Sequence, residues 1–285
     1  MNIGIIGLGL IGGSLGRVFI KNTDNIVYGT DISKENLLKA KMLGAFHLEL
    51  NDNNYSDIDM LFIALCPKAF CDVLSEIAPK LHKGAIIVDI AGNKNKVVNS
   101  MKKISSKYPE LKFIATHPMA GREYSGIKHS MPTLFENSSI LIVPVIADIQ
   151  DVVNFKALML KLGFSKVIMT DAENHDRIIA YTSQLAHILS SSYVKSPLAE
   201  EHYGFSAGSF RDLTRVAKLN VPMWSELFMD NRENLLSEID TLIDNLNEYR
   251  EALGKKDIDK LMSLLEQGNE RKEMIEKNTR IWKKS

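Results

Sequence analysis

The sequence predicts an α/β protein in two parts, a doubly wound, mostly parallel sheet over residues 1–170 and an all-α domain over residues 171–285. Two observations carry this. From residue 2 to about residue 170, short apolar runs alternate with helical patterns, the signature of successive βαβ units. After Thr170 no convincing strand follows; long helical periodicities take over, punctuated by Pro197, Gly204, Gly208, Pro222 and Gly254.

The first strand is the apolar run 2–6, followed by Gly7, Leu8, Gly9, Leu10, Ile11 and Gly12 and then a helix to about Phe19. This is GxGxxG between a strand and a helix, the context it requires. The first glycine permits a tight turn, the second lets backbone amides approach a pyrophosphate, and the third lets the helix pack closely on the strand. These six residues form the expected phosphate-binding turn of a Rossmann-type domain, with free N–H groups at the helix start facing the phosphates. A second strand, 26–30, leads to Asp31, about where a ribose-binding carboxylate is expected. That carboxylate would repel a 2′-phosphate, and no arginine follows in Ile32 or Ser33, so NAD is favoured over NADP.

Ser33 caps a helix to about Leu43, and Gly44 ends it. A third strand covers 59–65, and Pro67 opens the helix that runs to about Leu81. The fourth strand, 84–89, leads to Ala91 and Gly92, where the backbone would pass closest to a bound nicotinamide. Lys94 follows in that loop, either as a solvated lysine or as an anion-binding one. Strands over 112–115, 139–145 and 166–169, with a helix over 151–162, complete the sheet.

The fifth strand delivers Thr116, His117, Pro118, Met119, Ala120, Gly121, Arg122, Glu123, Tyr124, Ser125 and Gly126. An imidazole, a guanidinium, a carboxylate and several hydroxyls in one turn-rich segment have the composition of a site. Pro118 disfavours helix at His117, so the ring is expected where the chain leaves the sheet, the edge at which open α/β sheets bind ligands.

Helices are expected over about 171–195, 209–219, 222–252 and 257–279. Ser183 and His187 are one helical turn apart and would share a face. His187 on its own is as well explained as a hydrogen-bonded core or interface histidine. His175 and His187 are too far apart for a helical metal pair, and no metal site is expected. Around Gly208, small residues precede Arg211, Asp212 and Arg215. An arginine near a helix start suggests a bound anion, whereas an intrahelical pair of Asp212 with Arg215 needs none.

Composition sets outer bounds. With 35 basic and 35 acidic residues the formal net charge is zero, so nothing global draws the chain to nucleic acid or to an anionic membrane. The start of the chain lacks a basic and apolar leader, and no apolar run approaches the ~20 residues that span a bilayer, so a cytoplasmic protein is expected. Cys66 and Cys71 make no CxxC pair and read as reduced thiols.

Taken together, these motifs resemble the prephenate and arogenate dehydrogenases of tyrosine biosynthesis. The resemblance rests on the glycine turn with Asp31, on the segment His117 to Gly126, on Ser183 to His187, and on Phe210, Arg211, Asp212, Leu213, Thr214 and Arg215 followed by Trp224. It implies NAD-dependent oxidative decarboxylation of prephenate to 4-hydroxyphenylpyruvate, or of arogenate to tyrosine, by a homodimer joined through its helical domain. By similarity His117 is the base; Arg215, His187, Asp212, Glu123, Gln184 and Gly208 surround the substrate; and Gly92 joins the cofactor site. Three positions depart from the family pattern. Gly92 stands where many members carry a serine bonded to the catalytic histidine, leaving backbone, water or Asn93 to orient His117. Gln184 stands where some have another histidine, and Arg122 replaces a common threonine. Two rival readings share the fold. A non-enzymatic dinucleotide sensor would not need His117, His187 and Arg215. A reductase of another small hydroxy acid or imine would often carry an interdomain lysine, which is lacking until Lys195.

Overall fold

The computed structural model describes residues 1–284, with their side chains as far as 281; Ser285, the end of the expected helical domain, lies outside the described residues. The chain forms two compact units, Met1–Arg232 and Glu233–Ser285.

The first unit is built on an eight-stranded sheet: β1 (Asn2–Ile6), β2 (Ile26–Thr30), β3 (Leu48–Glu49), β4 (Met60–Ile63), β5 (Ile86–Asp89), β6 (Lys112–Pro118), β7 (Ser139–Ile146) and β8 (Lys166–Met169). Its order is β3-β2-β1-β4-β5-β6-β7-β8, and every neighbouring pair is parallel except β6 with β7. The strand order reverses direction between β1 and β4, so a crevice opens at their carboxyl ends. The edge strand β3 is too short for the sequence to display any alternation, and sequence periodicity does not predict it.

Along this unit run α1 (Leu10–Asn22), α2 (Lys34–Met42), α3 (Pro67–Ile77), α4 (Asn95–Ser105) and α5 (Ile149–Lys161). The local signals work as expected: the Ser33 hydroxyl accepts from Asn36 N–H, and Pro67 occupies the first turn of α3. Alternate strand residues feed opposite faces. Met60 and Phe62 enter one core with Leu15, Phe19 and Phe155, while Leu61 and Ile63 enter the other with Phe70, Leu74 and Phe113. Each such buried side chain stabilises the fold by roughly 1.5–3 kcal/mol, which keeps the sheet a rigid platform for its loops.

Past β8 the first unit becomes helical: α6 (Ala172–Ile179), α7 (Ala186–Tyr193), α8 (Gly208–Thr214) and α9 (Val221–Asp230). The helix expected over 171–195 is interrupted by a π-helical turn, Ala180–Leu185, between α6 and α7. Such a turn holds more residues than an α-turn, so the sharing of one face by Ser183 and His187 does not follow. The helix expected over 222–252 is broken at Asn231, whose backbone leaves helical geometry (φ −118°, ψ 25°). Its amide is buried and donates to Asp176 O and Gln184 Oε1.

The second unit holds α10 (Arg232–Lys255, its first residue still in the first unit) and α11 (Ile258–Lys284). Lys256 between them has a left-handed backbone (φ 55°), and Asp257 caps α11 by accepting from Lys260 N–H. Tyr249 Oη donates to Leu264 O, and Lys260 pairs with Glu248 at 2.7 Å.

Candidate active site

The carboxyl end of β1 turns through Gly7, which has φ +88°. A Cβ on Gly12 would fall 1.9 Å from Gly7 O, so only glycine lets α1 start this close to the turn. A Cβ on Gly9 would meet nothing within 4 Å, leaving open space over the helix start. No side chain caps α1, and its first turn carries no acid. Its leading amides are therefore available to an anion. Asp31 accepts from Leu8 N–H through Oδ2 and from Ser33 N–H through Oδ1, which fixes its carboxylate beside the turn. This arrangement fits a dinucleotide: open amides for the pyrophosphate and an acid beside the ribose position.

His117 is the penultimate residue of β6, opposite Leu141 of β7. Its side-chain partner is His175 rather than Asn93. His117 Nδ1 lies 3.0 Å from His175 Nε2, and His175 Nδ1 lies 2.7 Å from Asp176 Oδ1. Asp176 is buried and accepts from Lys94 N–H and Asn95 N–H, and from the Asn95 side chain. Burial alone would push the Asp176 carboxyl up, but the donors from His175, Asn95 and Lys94 outweigh it and hold it below the ordinary range. Burial, then the neighbouring His175 and Lys94, hold His117 well below the ordinary histidine value.

Lys94 is neither solvated nor an anion site. Its ammonium is fully buried and donates to Asp89 Oδ2 at 2.5 Å and to Thr116 O at 2.6 Å. Asp89 also accepts from Ala91 N–H and Thr116 N–H. The pair thus ties the loop after β5 to the residue preceding His117. Asn93 donates to Leu227 O and accepts from Gln184 Nε2. A Cβ on Gly92 would come within 3.2 Å of Leu227 Cδ2, so the α9 leucine presses on the space a serine side chain would need.

A cavity of about 850 Å³ runs along this edge. It is lined by Gly9, Leu10, Ile11 and Gly12, by Ala64, Leu65, Cys66 and Pro67 beyond β4, by Ile90, Ala91 and Gly92, and by His117. Arg122, Glu123, Lys128, His187, Arg215, Lys218, Trp224 and Leu227 line it as well. Gly7, Leu8 and Asp31, expected at the cofactor, are not on the lining. His187 Nδ1 is 3.0 Å from Val216 O, and its ring stands 3.9 Å from that of Trp224. Since a carbonyl only accepts, that nitrogen carries the proton, and the neutral ring keeps a lone pair on Nε2. Burial lowers His187, opposed by the Val216 carbonyl.

Arg215 follows the last residue of α8, so it lies at the end of the helix where a cation is favoured, not at its start. It pairs with Glu123 at 2.5 Å rather than with Asp212. α8 presents only this end to the cavity, and Asp212 and Gly208 are absent from the lining. Gln184 is also outside it: buried, with its amide taken up by Asn93, Asn231 and Leu227 O. The substrate contacts expected of these three residues have no counterpart in the cavity wall. Sequence reasoning assigns no role to His175 and Asp176; a histidine followed by an acid near a helix start is their only local signal. Among the described residues no cluster of His, Cys, Asp and Glu is placed to hold a metal, and no helix is long and apolar enough to cross a membrane.

Comparison with known proteins matches residues 15–169 to the prephenate dehydrogenase nucleotide-binding domain and residues 171–267 to the prephenate dehydrogenase dimerization domain. The chain is 29% identical over 280 residues to prephenate dehydrogenase of Lactococcus lactis, covering 95% of this chain and 77% of that one. It is likewise 29% identical over 280 residues to cyclohexadienyl dehydrogenase of Zymomonas mobilis, with 92% and 91% covered. The fold matches a crystal structure of A. aeolicus prephenate dehydrogenase in complex with hydroxyphenyl propionate and NAD+, at TM-score 0.85 and 24% identity over 96% of this chain and 98% of that one. It also matches Synechocystis arogenate dehydrogenase, at TM-score 0.80 and 21% identity over 96% and 100%. With both of its parts matched and a histidine on the last parallel strand facing the cavity beside a dinucleotide turn, the chain belongs to the prephenate dehydrogenase family of NAD-dependent oxidoreductases.

Proposed function

We propose that this chain catalyses the NAD-dependent oxidative decarboxylation of prephenate to 4-hydroxyphenylpyruvate, a step of tyrosine biosynthesis. The observation that carries this reading is that one cavity is lined by His117 and Gly92 together with Arg215 and His187. NAD, when bound along the glycine turn, accepts the hydride. His117 is neutral near pH 7 and takes the proton of the ring hydroxyl as the hydride leaves that carbon. The bond to the ring carboxylate breaks, carbon dioxide departs, and its electron pair completes the aromatic ring, whose oxygen takes the proton back from His117. Arg215 holds a substrate carboxylate with its planar fork, for which it must release Glu123. His187 offers Nε2 to a substrate hydroxyl, with Trp224 against its ring.

Prephenate is preferred to arogenate on charge. Arg122, Lys128, Arg215 and Lys218 line the cavity, against one carboxylate, Glu123, which is already paired. A dianionic keto acid suits such a wall, whereas the ammonium of arogenate meets four cations against a single carboxylate. The test is purified protein with NAD and either compound, following reduced cofactor and the aromatic product; turnover of neither removes the assignment, and a preference for arogenate removes the charge argument.

We place the functional boundary at residue 170, between β8 and α6, with the cofactor held before it and substrate contacts and dimerisation after it. The description of the matched second domain supports a homodimer. Cys66 and Cys71 are free, which suits a reducing cytoplasm. Neither nucleic acid nor membrane enters the proposal, since the formal charge is balanced.

A further inference from the structure

The two oxygens of Asp176 receive four donors. Lys94 N–H at 2.7 Å and His175 Nδ1 at 2.7 Å reach Oδ1; Asn95 N–H at 2.9 Å and Asn95 Nδ2 at 2.8 Å reach Oδ2. A carboxylate has about four lone-pair positions, and all are taken. Against its burial, these donors hold the Asp176 carboxyl below the ordinary range, so Asp176 is ionised and His175 carries its proton on Nδ1. A neutral His175 then has a bare lone pair on Nε2. The ring nitrogen 3.0 Å away, His117 Nδ1, must be the donor in that contact. His117 therefore keeps its own lone pair on Nε2, the nitrogen not engaged by His175. The donors around Asp176 thus set, through His175, the tautomer of a histidine on β6.

We propose that His175 and Asp176 are positioning residues that lock His117 in its Nδ1–H tautomer and relay the proton it gains. The step rests on the prephenate reading above and balances as follows. The substrate hydroxyl proton forms a bond to His117 Nε2. The His117 Nδ1–H bond breaks, and that proton forms a bond to His175 Nε2. His117 ends neutral, and the positive charge comes to rest on His175 beside the Asp176 carboxylate. The hydride goes to NAD. Once carbon dioxide has left, the ring oxygen holds the freed electron pair and takes the proton back by the reverse shift, from His175 Nε2 to His117 Nδ1 and from His117 Nε2 to the oxygen. No other co-reactant is needed.

The surroundings favour this direction. His175 is buried, which lowers its affinity for a proton, but the hydrogen bond to Asp176 opposes that; His117 has no carboxylate partner and lies lower still. The other charged groups packed around the pair are Lys94 after β5 and Asp89 at its end, and they neutralise one another. The arrangement also accounts for Gly92: with Nδ1 of His117 engaged by His175, the loop after β5 need not supply a hydroxyl, and Leu227 packs against that space.

The test joins two readouts on the full-length protein. Nitrogen-15 NMR of histidine-labelled wild type, with His117 assigned through His117→Asn, should report His117 protonated on Nδ1 at neutral pH; protonation on Nε2 overturns the proposal. The pH profile of kcat/KM for prephenate is then compared between wild type, Asp176→Asn and His175→Gln. Asp176→Asn should lower kcat about 10-fold or more and move the acid limb to lower pH, because the cationic pair loses its carboxylate. His175→Gln should lower kcat by about 10²-fold while the Kd for NAD changes by less than about twofold. A purely structural role predicts lost activity with the acid limb of the residual rate unmoved, and that result refutes the relay. Should wild type fail to turn over prephenate, the functional reading falls, and the NMR tautomer decides the positioning claim by itself. Should a variant fail to fold, the wild-type spectrum still decides.

Discussion

Arg215 Nη1 lies 2.5 Å from Glu123 Oε1, joining the end of α8 to the loop that follows β6, and both residues line the cavity. Both side chains are well exposed, so water screens the pair and it contributes little to stability. Its consequence is for binding, since a substrate carboxylate must displace Glu123. Arg215→Ala should raise KM for prephenate about 10-fold or more with a smaller effect on kcat, as measured by steady-state kinetics. An unchanged KM would assign Arg215 to Glu123 alone.

Gly92 and Leu227 make a second prediction. Adding a side chain at Gly92 brings its Cβ within 3.2 Å of Leu227 Cδ2. Gly92→Ser should therefore destabilise the protein by about 1–3 kcal/mol, an overpacking cost, and Leu227→Ala in the same chain should remove the clash. Urea denaturation of the single and double variants checks this; additive losses would contradict it.

The Lys94–Asp89 pair lies wholly out of solvent. Removing one partner strands the other charge, so Lys94→Met should cost about 3–5 kcal/mol. Lys94→Met combined with Asp89→Asn should recover part of that loss. If the double variant is no more stable than Lys94→Met in denaturant titrations, the loss has another origin.

The histidines set a pH dependence. Burial first, then the neighbouring His175 and Lys94, depress His117, and burial depresses His175 and His187. A native state that resists protonation is outcompeted for protons by the unfolded chain, whose histidines titrate near about 6.5. Their contribution to stability is thus fully present above about pH 6.5 and is lost as the pH falls below it. Melting temperatures should drop between about pH 7 and pH 5, and less steeply in His117→Asn; identical slopes would show that His117 is not held neutral by the fold.

Much of this was legible in the sequence, for identifiable reasons. Gly7, Gly9 and Gly12 between a strand and a helix specify a local shape, and Pro118 keeps His117 out of a helix, so the turn and the strand end follow from neighbouring residues alone. Ser33 and Pro67 announce their helices in the same way. What sequence reading missed depends on distance along the chain. The His117–His175 contact spans 58 residues, and Lys94 reaches Thr116 from 22 residues away. Nothing local distinguishes a buried Lys94 from a solvated one. Gln184 likewise resembles a substrate ligand until the π-turn and Asn231 place it in the packing beneath the cavity. The break at Asn231 escaped the helical periodicity because apolar spacing continues across it while the buried amide departs from the helix.

The central claim is that His117 acts as the base of an NAD-dependent dehydrogenase. The most direct measurement compares wild type and His117→Asn for prephenate-dependent NAD reduction, with the Kd for NAD measured in parallel. The expected result is a kcat lowered by about 10²-fold or more with NAD affinity barely changed. An undiminished kcat, or an equal loss of NAD binding, would contradict that role.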